Sequence, residues 1–248
     1  MFSPDGKEFY FSRFTGGRGY TIMVMREGEN GWMEPEVAPF SGDYSEVDMF
    51  ITHDGQRFFY VSKRPLTPDG ARSPGYQIWS MSRDGYGWSE PVHLGSTVNM
   101  GPRQLYPTVA ANGNLYFNSA VSGYGEGDFF KSTYNAGSYG VPENLGDSVN
   151  SEYDETDALI APDERFLIFT SVGRADGFGN GDLYISFRKA DGTWTTAKNM
   201  GDRINTVSSE FCPMLSPDGK YFFFTSRRNG SDDIFWVDAS IIDSYRPS

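Results

Sequence analysis

The residues with the types and spacing to do chemistry here are carboxylates that recur in step along the chain. Glu46, Glu155 and Glu210 occupy one recurring position, where Gln104 stands in a fourth copy. Two residues further on lie Asp48, Asp157, Tyr106 and Cys212. Alternate residues of a strand share a side, so this spacing predicts two rings of side chains, five of them acids, around one opening. Carboxylate oxygens from several strands would suit a calcium ion. Carboxyls held close together separate their pKa values and can divide acid and base roles in glycoside cleavage. Asp48, Asp157 and Glu155 are the catalytic candidates on that reading, and Glu46, Tyr106 and Glu210 would line the same mouth. The competing reading is architectural: each glutamate accepts hydrogen bonds from a neighbouring connection. A residue that recurs in most copies marks architecture, so Asp48 and Asp157, found in two copies, are the better candidates for function. Cations follow nearby at Arg13, Lys63, Arg64, Arg174, Arg227 and Arg228. Arginine forks bind carboxylates, so Arg13, Arg64, Arg174 and Arg227 would either hold a ligand or neutralise the acids.

These positions are set by a repeat whose clearest copy is Ser216-Pro-Asp-Gly-Lys followed by the β-rich run Tyr221 to Thr225. Pro217 presets φ for a type I turn that Gly219 closes. Equivalent turns start at Ser3, Thr52, Ala110 and Ala161, recurring every 49 to 58 residues. Short strands repeated at roughly that period are the signature of propeller blades. Each repeat reads as four strands: an inner one before the turn, a second after it (8–12, 58–62, 115–119, 166–171, 221–226), a third (21–25, 77–81, 128–132, 182–187, 233–237) and an outer one. The outer strand opens at Trp32, Trp88, Tyr139 or Trp194, with Pro35, Pro91 or Pro142 three residues on, and proline belongs on an edge strand. A crossover phrase follows, at Leu94-Gly-Ser-Thr-Val-Asn99, Leu145-Gly-Asp-Ser-Val-Asn150 and Met200-Gly-Asp-Arg-Ile-Asn205. The inventory lacks a first inner strand and a last outer strand. The fold class is therefore all-β: one domain over 1–248, a five-bladed β-propeller of four-stranded antiparallel blades whose first and last blades are incomplete. Residues 240–248, a neighbouring chain or a segment missing before Met1 would fill the gap. No window keeps a helical period.

Composition narrows the function classes. Net charge is −12, so nonspecific nucleic-acid binding, which needs a basic surface, is excluded. No apolar run reaches the length of a membrane-spanning helix. One cysteine, Cys212, excludes an internal disulfide, and its strand-like setting suggests an inert buried thiol. His53 in a turn and His93 in an outer strand have no nucleophile at a telling spacing. The loop from Asp176 to Asp182 lacks the glutamate that an EF-hand needs and reads as a turn-rich loop. Met1 precedes the first turn with no signal peptide or lead-in, which suggests a truncated gene.

The Ser-Pro-Asp-Gly-Lys turns, the Gly181-Asp-Leu-Tyr184 opening and the Gly-Asp-x-Ile-Asn crossovers resemble the WD-like propeller repeats of the TolB type, above all those of exported bacterial proteins often labelled sialidase-like. The Ser-x-Asp-x-Gly-x-Thr-Trp box of sialidases is absent. The resemblance implies a periplasmic or extracellular setting. Three functions follow as expectations: a noncatalytic module binding a glycan or other extracellular ligand at the acidic mouth and its arginine rim, a glycoside-cleaving enzyme using the channel carboxylates, or an envelope platform for protein partners.

Overall fold

Each blade grows from a turn whose side chains close it. Ser3, Thr52 and Ser216 donate hydroxyls to Asp5, Asp54 and Asp218 at 2.6 Å, and those carboxylates accept the backbone N–H of Lys7, Gln56 and Lys220. The Gly6, Gly55 and Gly219 N–H groups close the same turns at positive φ, a conformation free of steric cost only for glycine. The strands that follow pair antiparallel.

The computed structural model describes residues 1–17, 19–67, 69–85, 87–121 and 123–247. It is a propeller of five small antiparallel blade sheets, with a separate two-stranded hairpin of Tyr134–Asn135 and Ser138–Tyr139 beside the third. Blade 1 holds Glu8–Phe14 and Tyr20–Gly28, with the outer pieces Gly31–Trp32 and Glu36–Val37. Blade 2 runs Glu46–Ile51, Arg57–Ser62 and Gln77–Asp84, with outer pieces Gly87–Trp88 and Val92–His93. Blade 3 is Gln104–Val109, Leu115–Ser119, Asp128–Ser132 and Glu143–Asn144. Blade 4 is Asp154–Ile160, Phe166–Val172, Gly181–Phe187 and Lys198–Asn199, and blade 5 is Glu210–Leu215, Tyr221–Ser226 and Asp233–Asp238. In blade 1 the inner strand is reduced to a bridge between Phe2 and Phe9, and no outer strand pairs with Asp233–Asp238 among the described residues. Two short helical pieces were not visible as periodicity, because neither is long enough to show one: Gly95–Val98 and the 3-10 turn Ala239–Tyr245.

The crossover asparagines act as substitutes for strand. Asn99, Asn150 and Asn205 each accept the N–H and donate to the C=O of one residue in the third strand: Ile78, Phe129 and Leu183 respectively. In blade 1 Ser41 accepts the Ile22 N–H instead. Each crossover is thereby tied to the third strand just past the short outer strand, which carries a proline in blades 1 to 3 (Pro35, Pro91, Pro142) and Ala197 in blade 4.

Blades pack face to face through four apolar clusters, one at each junction from 1–2 to 4–5. Phe58 and Tyr60 are among the residues that fill the first, Phe59 and Phe117 the second, Phe129 and Phe169 the third, Phe222 and Phe224 the fourth. Glycines before the third strand allow the close approach. A Cβ on Gly75, Gly125 or Gly179 would lie 1.7–2.2 Å from a carbonyl oxygen of the following crossover, which no side chain permits. The counterpart in blade 5, Gly230, faces open space. Between blades 5 and 1 the described contact of this kind is a pair of rings, Phe2 and Phe223, at 6.1 Å. The 3-10 turn does not enter that gap: Ile241 and Ile242 join the 4–5 cluster, and the Tyr245 hydroxyl donates to the Met200 carbonyl.

Candidate functional site: two rings at the channel

The inner strands of blades 2 to 5 share one irregularity. Their register slips between residues 47 and 50, 105 and 108, 156 and 159, and 211 and 214. Within each slip one residue takes a left-handed backbone: Asp48, Tyr106, Asp157 and Cys212, at φ of 51° to 54°. None is glycine, so each carries strain that its surroundings must sustain. A β-bulge re-aims the side chain it contains. The expectation that the two acidic rings share a side is therefore corrected: the bulge turns the second ring toward the axis, while the first ring turns into the crossovers.

The first ring is a set of buried clamps. Glu46, Glu155 and Glu210 are wholly inaccessible to solvent. Glu155 accepts the Ser151 N–H and hydroxyl, the Ser171 hydroxyl at 3.1 Å and the Arg174 guanidinium at 2.9 Å. Glu210 accepts from Thr206 and Ser226 and lies 3.7 Å from Arg228. Glu46 accepts from Ser41 and Ser62 and lies 3.5 Å from Arg64. The same arginines donate to crossover carbonyls, Arg64 to Phe40, Arg174 to Val149 and Arg228 to Ile204. Burial pushes the Glu46 and Glu155 carboxyls up, and these donors pull them part of the way back. Blade 3 supplies the internal control. Gln104 replaces the glutamate and bonds Ser119, and Val121 occupies the place of the arginine beside Gly101. Charge and countercharge are present together or absent together. These glutamates offer no atom to a ligand, so Glu155 as a catalytic group and Glu46 and Glu210 as ligand contacts have no exposed surface to act through.

The arginine collar divides in the same way. Arg64 and Arg174 are clamp members, each also stacked on an aromatic of the third strand, Trp79 and Tyr184. In blade 5 that duty falls to Arg228 and not to Arg227, which pairs with Asp232 at the surface. Arg13 lies inside a strand, exposed, with its guanidinium against the Met23 sulfur.

The second ring has no arginine. The Tyr106 N–H donates to Asp48 at 3.2 Å, and the Cys212 thiol donates to Asp157 at 3.3 Å. Burial, and then the charge of Asp157, push the Asp48 carboxyl up to about 7. Asp157 is raised too, by burial, against donation from Cys212 and Thr156. Burial and the adjoining aspartates raise the Tyr106 hydroxyl and the Cys212 thiol. Cys212 is solvent-exposed and not the enclosed thiol its strand-like neighbours suggest. It lies inside the channel, with protein on all sides and water able to reach it. Among the described residues no group of three or more acidic, histidine or cysteine side chains is placed to hold a metal ion. His93 serves the crossover, bonded to Asn99 and the Gly95 N–H. The Asp176 to Asp182 loop wraps around the Asp182 carboxylate, which accepts the Phe178 N–H at 2.6 Å.

Sequence reasoning missed Glu164, which stands where the other turns have glycine and has a positive φ. Its nearly buried carboxylate holds blades 3 and 4 together through Asn114, the Tyr116 hydroxyl, Lys131 and Arg188. The loss of the turn glycine was the available signal.

No protein-family model matches the chain, and no curated protein matches it by sequence. Solved structures share its shape. A protein assigned as TolB from Agrobacterium tumefaciens superposes with a TM-score of 0.58 at 17% identity, over 96% of this chain and 75% of that one. Hydrazine synthase of Kuenenia stuttgartiensis gives 0.51 at 14% identity, over 100% of this chain and 66% of that one. A puromycin hydrolase gives 0.50 at 14%, over 94% of this chain and 36% of the enzyme. At such identities the likeness is one of fold, and the chain is a five-bladed β-propeller, a scaffold shared by proteins of unrelated activity.

Proposed function

We propose that the protein is a noncatalytic ligand-binding propeller whose ligand enters the channel at Asp48 and Asp157. One observation carries this reading. The acids that recur in the blades each have an arginine, whereas Asp48 and Asp157 stand together with none. Two half-buried carboxyls at raised pKa favour a ligand that brings hydrogen-bond donors to them. A glycan does so through its hydroxyls, and an exported setting, as the repeat resemblance implies, would expose the module to glycans. The test is a glycan array on the wild type beside Asp48→Asn and Asp157→Asn, with binding expected for the wild type and lost in both variants. Binding that survives both substitutions refutes the channel as the site.

A second reading rests on the Asp48 carboxyl at about 7: beside a second carboxyl, such a group can serve as a general acid in glycoside cleavage. Turnover of aryl glycosides by the wild type, lost in Asp48→Asn, would replace binding with catalysis.

A further inference from the structure

The blade repeat identifies a second place where the chain departs from its own pattern, on the flank between blades 1 and 2. A groove of about 730 Å³ opens there, walled by Phe40, Tyr44, Trp79 and Trp88 and rimmed by Asp43 and Glu90. That volume lies in the range of small-molecule sites. At its base the second and third strands of blade 2 pair Tyr60 with Trp79. The corresponding cross-strand pairs are Phe11 with Met23, Phe117 with Phe130, Phe169 with Tyr184 and Phe224 with Phe235. Phenylalanine holds the Tyr60 position in the four other blades. Of the counterparts of Trp79 only Tyr184 has a polar head, and Asp176 of its own blade accepts its hydroxyl at 2.7 Å.

In blade 2 the polar heads are unanswered. The Tyr60 hydroxyl, the Trp79 indole N–H and the Arg64 Nε–H are buried with no hydrogen-bond partner among the described residues. Tyr60 is wholly buried and Trp79 is 5% exposed. The three lie together: the Arg64 guanidinium sits 5.8 Å from the Trp79 ring, and the ring of Phe40, a groove wall, is 5.6 Å from that of Tyr60. A buried donor without a partner is costly, and native structures seldom keep one without a use. Phenylalanine at both positions would remove the cost, and other blades show that the fold accepts it.

We infer that this groove is a saccharide-binding site distinct from the channel. Two of these donor-bearing residues, Trp79 and Arg64, line the groove, with Tyr60 wholly buried beside them, and donors that need acceptors exclude a purely apolar ligand. Carboxylates at Asp43 and Glu90 on the rim accept from hydroxyls, while the lining arginines are already engaged, Arg26 by Glu8 and Glu36 and Arg64 by Glu46, which disfavours an anion. Aromatic walls suit the C–H face of a pyranose ring. A sugar unit meets all three conditions, because each hydroxyl both donates and accepts. The inference rests on the flank alone and holds whether or not the channel binds anything.

Tryptophan fluorescence titration tests it, with xylotriose, cellotriose, maltotriose and chitotriose as probes, after a glycan array to extend the choice. At least one oligosaccharide should change the emission saturably. Trp79→Phe should weaken that binding at least tenfold and Tyr60→Phe, one layer further in, by less. Tyr60→Phe should melt at or above the wild-type temperature, because phenylalanine holds that position in the other blades. Asp48→Asn and Asp157→Asn should leave it unchanged. The inference is overturned if no oligosaccharide binds. It is equally overturned if Tyr60→Phe and Trp79→Phe bind like the wild type, or if only the channel variants lose binding.

Discussion

Asp48 shows how one side chain reports its surroundings. Its carboxyl is raised, first by burial and then by Asp157, so the folded protein holds that proton more tightly than the unfolded chain does. The sign follows from linkage: stability from this group is present at low pH and is lost as pH rises from the ordinary aspartate range through about 7. Asp48→Asn should raise the melting temperature more at pH 8 than at pH 5, measured by thermal unfolding at both values. Equal effects at the two pH values would show that the fold does not raise the Asp48 carboxyl. Glu164 is the opposite case. Burial raises its carboxyl, but Asn114, Tyr116, Lys131 and Arg188 together hold it below the usual range. Its contribution is present at neutral pH and lost as pH falls through its folded pKa. Glu164→Gln should destabilise the fold at pH 7 by ~1–3 kcal/mol, because it strips charge from a nearly buried, fully engaged acceptor. Urea unfolding at pH 7 and pH 3 should show that difference narrowing in acid.

At the scale of the element, the clamp of glutamate, hydroxyls and arginine does for the propeller what a disulfide or metal does elsewhere: it joins an inner strand to the preceding crossover. Arg174→Val should be strongly destabilising, by ~3–5 kcal/mol, since Glu155 would stay buried without its countercharge. The double variant Glu155→Gln with Arg174→Val copies the Gln104 and Val121 of blade 3, and should recover most of that loss. Denaturant unfolding of both variants decides it. A double variant as unstable as the single one would mean that the arginine acts through its bond to the Val149 carbonyl and not through charge.

Across the whole molecule, stability is unevenly shared. Four junctions have apolar clusters, and the junction of blades 5 and 1 leaves Trp236 and Ile234 about 60% exposed. Opening free energy falls where buried apolar contacts are few. Amide hydrogen exchange should therefore be fastest in Glu8–Phe14 and Asp233–Asp238 among the central strands, and slowest in Leu115–Ser119 and Phe166–Val172. Uniform protection across the five blades would show that the open junction is sealed in solution.

The sequence alone determined the blade count, the strand order, the turns, the crossovers and the two positions missing from the ring. All of these are local or periodic: a Pro-Asp-Gly turn, a two-residue alternation and a repeated asparagine act within one blade. What only the tertiary structure decided is where side chains point once blades meet. A bulge adds one residue to a strand and inverts the faces beyond it, so Glu46 and Asp48, two apart in the chain, end in a buried clamp and in a channel. The unanswered donors of Tyr60, Trp79 and Arg64 were equally hidden. Each is an ordinary residue in its own strand, and their lack of partners exists only where blade 1 lies against blade 2.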